Sequence, residues 1–412
     1  MANKILITED NITTIKERLE KLHLTFSLDE SEDEFSIGDS EIYIEFPEED
    51  EYMVYSIADF LAYTENIDSI VKLNDSTVRS SRIVQTIINI NDFLFDSAGI
   101  KNNVVENENF TISLCSNPFL IGLIATKERI FDEDYGITPC SMYTVVEIIY
   151  KDETSVLNIP TETKYIKEFL FYLSHKYSTP ISIGEFMTDG FRTDGTIDIE
   201  DISTDGKKIE NTKISINNLL TYSNLMDMYV DAMSIGNKEI KFLYYYKIIE
   251  HCSPIVSKMK AYELLNRKLD LLPYNNRDYK YLDSIFELTR EYDISLRDSE
   301  LAYTVLLECI DIIQLYEFLP ESIKRALSRK YKYENKNIKY DLELSKQNSI
   351  KHGISLILYA TRNSIVHAKS NYSLTGDECN VDDLEDLNVF ISKLCYCLIA
   401  WNNRQSETYR LK

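Results

Sequence analysis

The feature that most constrains the fold is the uneven distribution of glycine along the chain. Eight of the eleven glycines lie in residues 1–224 and three in 225–412, and five of the eight prolines also lie in the first part. Because glycine and proline favour turns and weaken helices, we expect a turn-rich first part and a helical second part. We therefore predict a mixed α+β domain over residues 1–223 and an all-α helical bundle over residues 224–412.

Apolar periodicity adds detail to the first part. Alternating apolar residues predict strands at Leu24–Leu28, Ile42–Phe46 and Phe110–Leu114, and the short β-rich run Tyr143–Tyr150 predicts another. Helical spacing predicts helices over 1–22, 56–73 and 164–176. In the first of these helices, Thr14 and Glu17 have the spacing of a capping box.

The second part shows helical spacing throughout. Phe242, Tyr245 and Ile249 share one stripe of a run that ends at Glu250, and Pro254 and Pro273 are expected to bracket the next helix. Near the C-terminus, apolar residues recur alternately three and four positions apart, at Leu384, Leu387, Ile391, Leu394, Leu398 and Trp401. Such a seam packs on a partner helix, either inside the domain, which we expect, or across a dimer.

Composition places the chain among globular proteins of a reducing compartment. Hydrophobic residues make up 44% of its 412 residues, but no apolar run reaches the ~18 residues of a transmembrane helix. The start turns acidic at once and lacks the apolar core of a signal peptide. The seven cysteines form no C-x-x-C pair, which argues against a disulfide framework or a zinc site. We expect a cytoplasmic protein without a membrane anchor, a metal or a cofactor.

Charge is distributed very unevenly. The net charge of −24 argues against broad, non-specific binding to nucleic acid. Residues 1–50 hold fifteen acidic and four basic residues, whereas residues 321–373 hold eleven basic and four acidic ones. The basic window is either a solvated helix face or a docking surface for a polyanion. It also interleaves aromatic and basic residues, a mixture that can stack single-stranded bases or form a plain helical surface: Lys330, Tyr331, Lys332, Tyr333, Lys336, Lys339 and Tyr340.

The same window contains Tyr359–Lys369, which reads Y-A-T-R-N-S-I-V-H-A-K. It places Arg362, Asn363 and His367 in an apolar helical run, where a buried charge would be costly unless paired. Asn363 and His367 are four apart and share a helical face. Arg362 and His367 are five apart, about 140° around an ideal helix. They converge only if the arginine side chain wraps round or the helix bends, or if two copies face each other across a two-fold axis.

The run Arg362-Asn363-Ser364-Ile365-Val366-His367 resembles the R-x4-H motif of the HEPN superfamily, in its R-N-x-x-x-H form. The Ala368-Lys369 pair that follows, and the aromatic-rich run ending at Glu250, are similar to Apea-like HEPN domains. The resemblance implies an all-helical, metal-independent ribonuclease with a composite site in a homodimer. It further implies that His367 transfers protons, Arg362 holds the scissile phosphate and Asn363 orients the site.

These side chains suit RNA cleavage, because the 2′-hydroxyl of RNA is itself a nucleophile. A neutral imidazole with a pKa of ~6.5 can act as base or acid, and a guanidinium matches phosphate oxygens. Glu250 is a candidate to orient Arg362, and Lys369 a candidate phosphate contact, although either can be an ordinary surface charge. His367 can also be a core histidine, and His352, fifteen residues earlier, is expected to be structural.

The family context implies a toxin-like effector of bacterial anti-phage defence that cleaves tRNA or another structured RNA. The N-terminal domain would then sense a phage-derived trigger or hold the nuclease inactive. The alternative is a non-catalytic HEPN-like helical module that mediates dimerisation or binds a partner. P-loop, G-x-S-x-G and H-E-x-x-H sequences are missing from the chain, which leaves kinase, α/β-hydrolase and zincin functions without support.

Overall fold

The computed structural model describes two compact units, Met1–Leu219 and Leu220–Lys412. Sequence patterns predicted the division between residues 223 and 224. The residues described are 9–22, 24–28, 41–46, 53–90, 99–128, 130, 143–186, 212–270, 280, 283–287, 298–333, 338, 342–367, 375–407 and 409–411. Within these residues, no helix is both long enough and apolar enough to cross a membrane.

The described residues of the N-terminal unit form two sheets and four helices. A three-stranded antiparallel sheet consists of β1 (Thr25–Leu28), β2 (Glu41–Glu45) and β3 (Met53–Ser56). A larger sheet has the order β11-β7-β8-β9-β6-β5-β4, with β10 paired to β6, and only its β11–β7 pair is parallel. Its strands are β4 (Val71–Asn74), β5 (Thr77–Arg79), β6 (Ile83–Asn89), β7 (Asn103–Glu106), β8 (Phe110–Ser116), β9 (Thr144–Tyr150), β10 (Ser182–Ile183) and β11 (Thr212–Ser215). The helices are α1 (Glu9–Leu22), α2 (Ile57–Tyr63), α3 (Phe119–Glu128) and α4 (Ile159–Tyr177).

Strand β6 is buried on both faces and separates two apolar cores. Ile83 and Ile87 belong to one core, and Val84 and Ile88 belong to the other. This division follows from the two-residue period of a strand, which directs successive side chains to opposite faces. Helix α3 contributes to the first core and α4 to the second, so the sheet is covered on both sides.

One buried polar cluster crosses the centre of this sheet. The side chain of Glu147 on β9, which is 5% exposed, accepts a hydrogen bond from Gln85 Nε2 at 2.6 Å. Gln85 Oε1 in turn accepts from the backbone N–H groups of Leu120 and Ile121 at the start of α3. Burial raises the pKa of the Glu147 carboxyl, because the charged form loses its hydration.

The structure confirms several predicted elements of this unit and corrects two. The four predicted strands lie at β1, β2, β8 and β9, and α1 and α4 contain predicted helices. The predicted helix over 56–73 is wrong, because the helix ends at Tyr63 and Val71–Asn74 pairs with β5 as a strand. Thr14 does not cap a helix either, since α1 begins at Glu9 and Thr14 lies inside it.

In the C-terminal unit, all the secondary structure that the structure describes is helical. The helices are α5 (Asn224–Ser234), α6 (Lys238–Asp270), α7 (Asp298–Cys309), α8 (Ile312–Leu315), α9 (Glu321–Tyr331), α10 (Leu344–Val366) and α11 (Leu384–Asn403). Helix α6 packs against α5, α7 and α11, and α10 packs against α6, α7 and α9. The apolar seam of α11 therefore lies against α6, which confirms that its partner is inside the domain.

Helix α6 contains the proline that was expected to end it. Pro254 lies in the middle of the 33-residue helix Lys238–Asp270. Proline cannot donate to the carbonyl of Glu250, four residues earlier, and this normally weakens a helix. Buried side chains lie on both sides of the proline, among them Ile249, Cys252 and Val256. Packing against four neighbouring helices thus outweighs the local cost of the proline.

Candidate functional site

Arg362 lies near the C-terminal end of α10, and two other side chains hold it there. Its Nη1 donates to Asn363 Oδ1 at 3.0 Å, and its Nη2 lies 3.3 Å from Glu250 Oε1 on α6. The arginine side chain is 27% exposed and the glutamate side chain 43%. Glu250 and Asn363 engage two of the five guanidinium donors, so donors remain to bind an anion. The arginine is positioned and can still be reached from solvent.

His367 lies at the point where α10 ends. It is the C-cap residue, with φ −103° and ψ 13°, and its backbone N–H donates to Asn363 O at 2.9 Å. Its side chain is exposed, so the interpretation of His367 as a core histidine is wrong. The angle of about 140° between Arg362 and His367 applies to a continuous helix. Because the helix ends at Val366, this angle does not fix the direction of the His367 side chain.

Asn363 contacts Arg362 through its side chain and His367 through its backbone. Its amide oxygen accepts from Arg362, and its backbone carbonyl accepts from the N–H of His367. With the oxygen committed to Arg362, the two N–H donors of the amide are directed elsewhere. Side-chain contacts thus join Arg362, Asn363 and Glu250 near the end of α10, and His367 is the C-cap residue of the same helix.

A buried threonine fastens this end of α10 to the chain that precedes α11. Thr361, 2% exposed, donates through Oγ1 to Ile357 O at 2.7 Å and accepts from the backbone N–H of Cys379 at 2.9 Å. Thr361 directly precedes Arg362, so the contact supports the turn that carries the arginine. Sequence reasoning missed it, because a threonine inside an apolar helix carries no signal of its distant partner.

The segment tied to Thr361 is itself held by Glu378. The Glu378 carboxylate accepts from the backbone N–H groups of Thr375 and Gly376 and from the Thr375 hydroxyl, at 2.6 to 2.9 Å. Burial acts to raise the pKa of this carboxyl, but the hydrogen bonds outweigh burial and lower the pKa to about 2. The segment therefore carries a fixed negative charge beside the motif at neutral pH.

The two described tyrosines of the basic window that were candidates for base stacking, Tyr331 and Tyr333, favour the alternative of a plain helical surface. Tyr333 is buried and its hydroxyl lies 3.0 Å from that of Tyr316, so its ring is not placed to stack on bases. Tyr331 is half-buried, with its ring against the position of Gly353 on α10. The prediction also included Tyr340, Lys336 and Lys339, which lie outside the described residues.

This leaves His352, Lys369 and the cysteines among the residues that the sequence analysis considered. The exposed ring of His352 makes an edge contact with Tyr303, with centroids 5.0 Å apart. Lys369 lies outside the described residues, so its proximity to the site stays a prediction. The six described cysteines are free thiols, and no group of three or more His, Cys, Asp or Glu side chains within the described ranges is arranged to hold a metal ion.

Comparisons with known proteins add no further identification. The chain matches no protein-family model, no curated protein and no solved structure. The chemistry of this site therefore rests on its own residues: a positioned guanidinium, an amide that orients it and an exposed imidazole at the end of one helix.

Proposed function

We propose that the C-terminal unit is a HEPN-type, metal-independent endoribonuclease that cleaves RNA through attack by the 2′-hydroxyl. The observation that carries the proposal is the pairing of Arg362 with Glu250 and Asn363 beside the exposed His367. The ion pair joins residues 112 positions apart, and the fold brings them to the motif that the sequence singled out. An arginine and a histidine presented together on a helix end suit a phosphodiester substrate.

The proposed reaction assigns one role to each side chain. His367, as a neutral imidazole, removes the proton from the 2′-hydroxyl, and the oxygen attacks the adjacent phosphorus. Arg362 binds the non-bridging oxygens and stabilises the extra negative charge of the transition state. The bond from phosphorus to the 5′-oxygen breaks, and that oxygen takes a proton from an imidazolium. The products are a 2′,3′-cyclic phosphate and a free 5′-hydroxyl.

A homodimer completes the proposed site. One copy offers one imidazole from the motif, whereas the reaction needs both a base and an acid. A second copy related by a two-fold axis would supply the second His367 and a second Arg362. Val366, directly before the histidine, is 48% exposed, which leaves apolar area beside the site for such a contact.

RNA cleavage in the presence of EDTA tests the proposal directly. Wild type is compared with His367→Ala and Arg362→Ala on tRNA and on another structured RNA. Matched controls are His352→Ala, an exposed histidine on the same helix, and Arg267→Ala, an exposed arginine paired with Glu263 on α6. We expect at least ~10²-fold loss for the two motif variants, as for removal of a general base or a charge-stabilising donor.

The controls should cleave RNA as wild type does, and DNA should stay intact because it lacks the 2′-hydroxyl. Equal cleavage by all five proteins would reject the ribonuclease and favour the alternative, a helical module for dimerisation or partner binding. Cleavage that EDTA abolishes would reject the metal-independent mechanism. A 3′ end without a cyclic phosphate or its opened form would reject 2′-hydroxyl attack.

The proposed biological role is that of a toxin-like effector in bacterial anti-phage defence. The acidic N-terminal unit would sense a phage-derived trigger or restrain the nuclease, a role supported by the opposite charges of residues 1–50 and 321–373. Expression in bacteria should arrest growth when the trigger is supplied, and His367→Ala should relieve the arrest. Growth arrest that persists in His367→Ala would separate toxicity from cleavage and contradict this role.

A further inference from the structure

We propose that the outer face of α9 binds the phosphate backbone of double-stranded RNA. This basic stripe consists of Arg325, Arg329 and Lys332, three exposed cations at positions i, i+4 and i+7. The inference rests on the proposed function for the identity of the polymer as RNA. It goes further by naming the surface that binds the RNA and the form of RNA that it accepts.

The geometry of the helix aligns Arg325 and Arg329 on one face, and Lys332 follows directly after the helix as its C-cap residue, with φ 53°. Ile323 and Leu327 form the buried side of α9, so the basic stripe lies on the side that faces solvent. With a rise of 1.5 Å per residue, the Cα atoms of Arg325 and Arg329 are roughly 6 Å apart.

Two contacts connect α9, which carries the basic stripe, to the candidate active site. Next to the stripe, Lys330 Nζ lies 4.0 Å from Asp377 Oδ1. Two residues later, the N–H of Cys379 donates to Thr361 Oγ1, and Thr361 directly precedes Arg362. Allowing for the chain between Asp377 and Cys379, these contacts keep Lys330 within roughly 20 Å of Thr361. A single RNA helix can reach both surfaces.

The accessible groups of α9 favour a duplex over a single strand. Single-strand binding surfaces combine cations with exposed aromatic rings on which bases stack. Of the two described rings here, Tyr333 is buried and Tyr331 packs against α10. The stripe thus offers charge and hydrogen-bond donors without a stacking platform. Such a surface fits A-form RNA, which is recognised through its shape and its backbone.

Acidic side chains limit the stripe at the N-terminal end of α9. Glu321 is exposed, and Ser322 donates to Asp383 Oδ2 at 2.6 Å, which places that carboxylate beside the first turn. These charges repel phosphate from the first turn of α9, and Asp377 lies beside Lys330 near its last turn. The phosphate contacts are therefore assigned to Arg325, Arg329 and Lys332 and not to Lys330.

Binding of full-length protein to 2′-O-methylated RNA tests this inference without any cleavage. A short duplex and a single strand of the same length are compared by fluorescence anisotropy between roughly 0.05 and 0.2 M salt. The variant is Arg325→Gln/Arg329→Gln, which removes two charges and keeps most of each side chain. The matched control, Lys258→Gln/Arg267→Gln, removes two exposed charges from α6, outside the stripe.

Each phosphate contact contributes ~0.9 to the slope of log K against log salt, or about eight-fold in affinity near 0.1 M salt. We therefore expect the stripe variant to bind the duplex roughly ten- to sixty-fold more weakly, with a slope smaller by up to ~1.8. The control should bind as wild type does, and circular dichroism should show an unchanged helical fold in both.

Equal loss in the control and the stripe variant, or none in the stripe variant, overturns the assignment. Tighter binding of the single strand than of the duplex overturns the choice of double-stranded RNA. Failure of the cleavage test leaves this measurement intact, because the modified RNA cannot be cut in either case. Stripe-dependent duplex binding without cleavage would thus reject the ribonuclease alone, and cleavage without stripe-dependent binding would reject this inference alone.

Discussion

Gly353 sits where α10 approaches α9 most closely, and its replacement by alanine gives a sharp stability prediction. A Cβ atom at this position would lie 2.5 Å from Leu327 Cδ2, 2.9 Å from Tyr331 Cε2 and 3.1 Å from Tyr331 OH. Leu327 is buried and Tyr331 half-buried, so neither can move into open solvent without losing packing. The missing side chain of glycine therefore allows the two helices to meet.

Two opposing contributions determine the expected change in the free energy of unfolding. Replacing a mid-helix glycine by alanine normally stabilises by ~1 kcal/mol, because the unfolded chain loses conformational freedom. Forcing an additional methyl group into a packed contact costs about 1–3 kcal/mol. We expect Gly353→Ala to be net destabilising, by roughly 1 kcal/mol at the centre of this range.

Urea unfolding monitored by circular dichroism measures the change, with Gly236→Ala as the matched control. A Cβ atom at Gly236 meets nothing within 4 Å, so this variant should be neutral or more stable by up to ~1 kcal/mol. The reasoning would be refuted if Gly353→Ala stabilised the protein as much as Gly236→Ala does. A combined loss in Gly353→Ala/Leu327→Ala that is smaller than the sum of the two single losses would locate the clash at the contact between α9 and α10.

Three further predictions concern polar contacts. Glu250→Gln should reduce kcat for RNA cleavage yet change unfolding by less than ~1 kcal/mol, because a partly exposed ion pair stabilises weakly; unchanged kcat would refute its orienting role. Thr361→Val should destabilise by about 1–3 kcal/mol in urea unfolding by leaving the Cys379 N–H unpaired, whereas Thr361→Ser keeps the hydroxyl and should cost less. The raised pKa of Glu147 means that its contribution to stability is present below pH 4.5 and is lost as pH rises through its folded pKa. Stability of Glu147→Gln should therefore fall less with rising pH than that of wild type, and parallel pH profiles in thermal unfolding would contradict this.

Local sequence patterns correctly predicted those helices and strands whose secondary structure depends mainly on nearby residues. The alternation in Phe110–Leu114 became β8, and the three-four spacing from Leu384 became α11. Each pattern records which face of an element is buried, and burial of apolar surface is the largest contribution to folding. The predictions that failed depend on distant partners: Val71–Asn74 is a strand because β5 lies beside it, and Pro254 stays inside α6 because other helices cover that region.

By itself, the sequence determined the α-helical character of the second part and the residue types of the candidate site, Arg362, Asn363 and His367. Only the tertiary structure decided that Glu250, 112 residues away, pairs with Arg362, and that Thr361 is tied to Cys379. It also decided that His367 is exposed at a helix end and that Tyr333 is buried. The reason is that periodicity specifies one face of one helix, whereas the contacts of a side chain depend on which helices pack together.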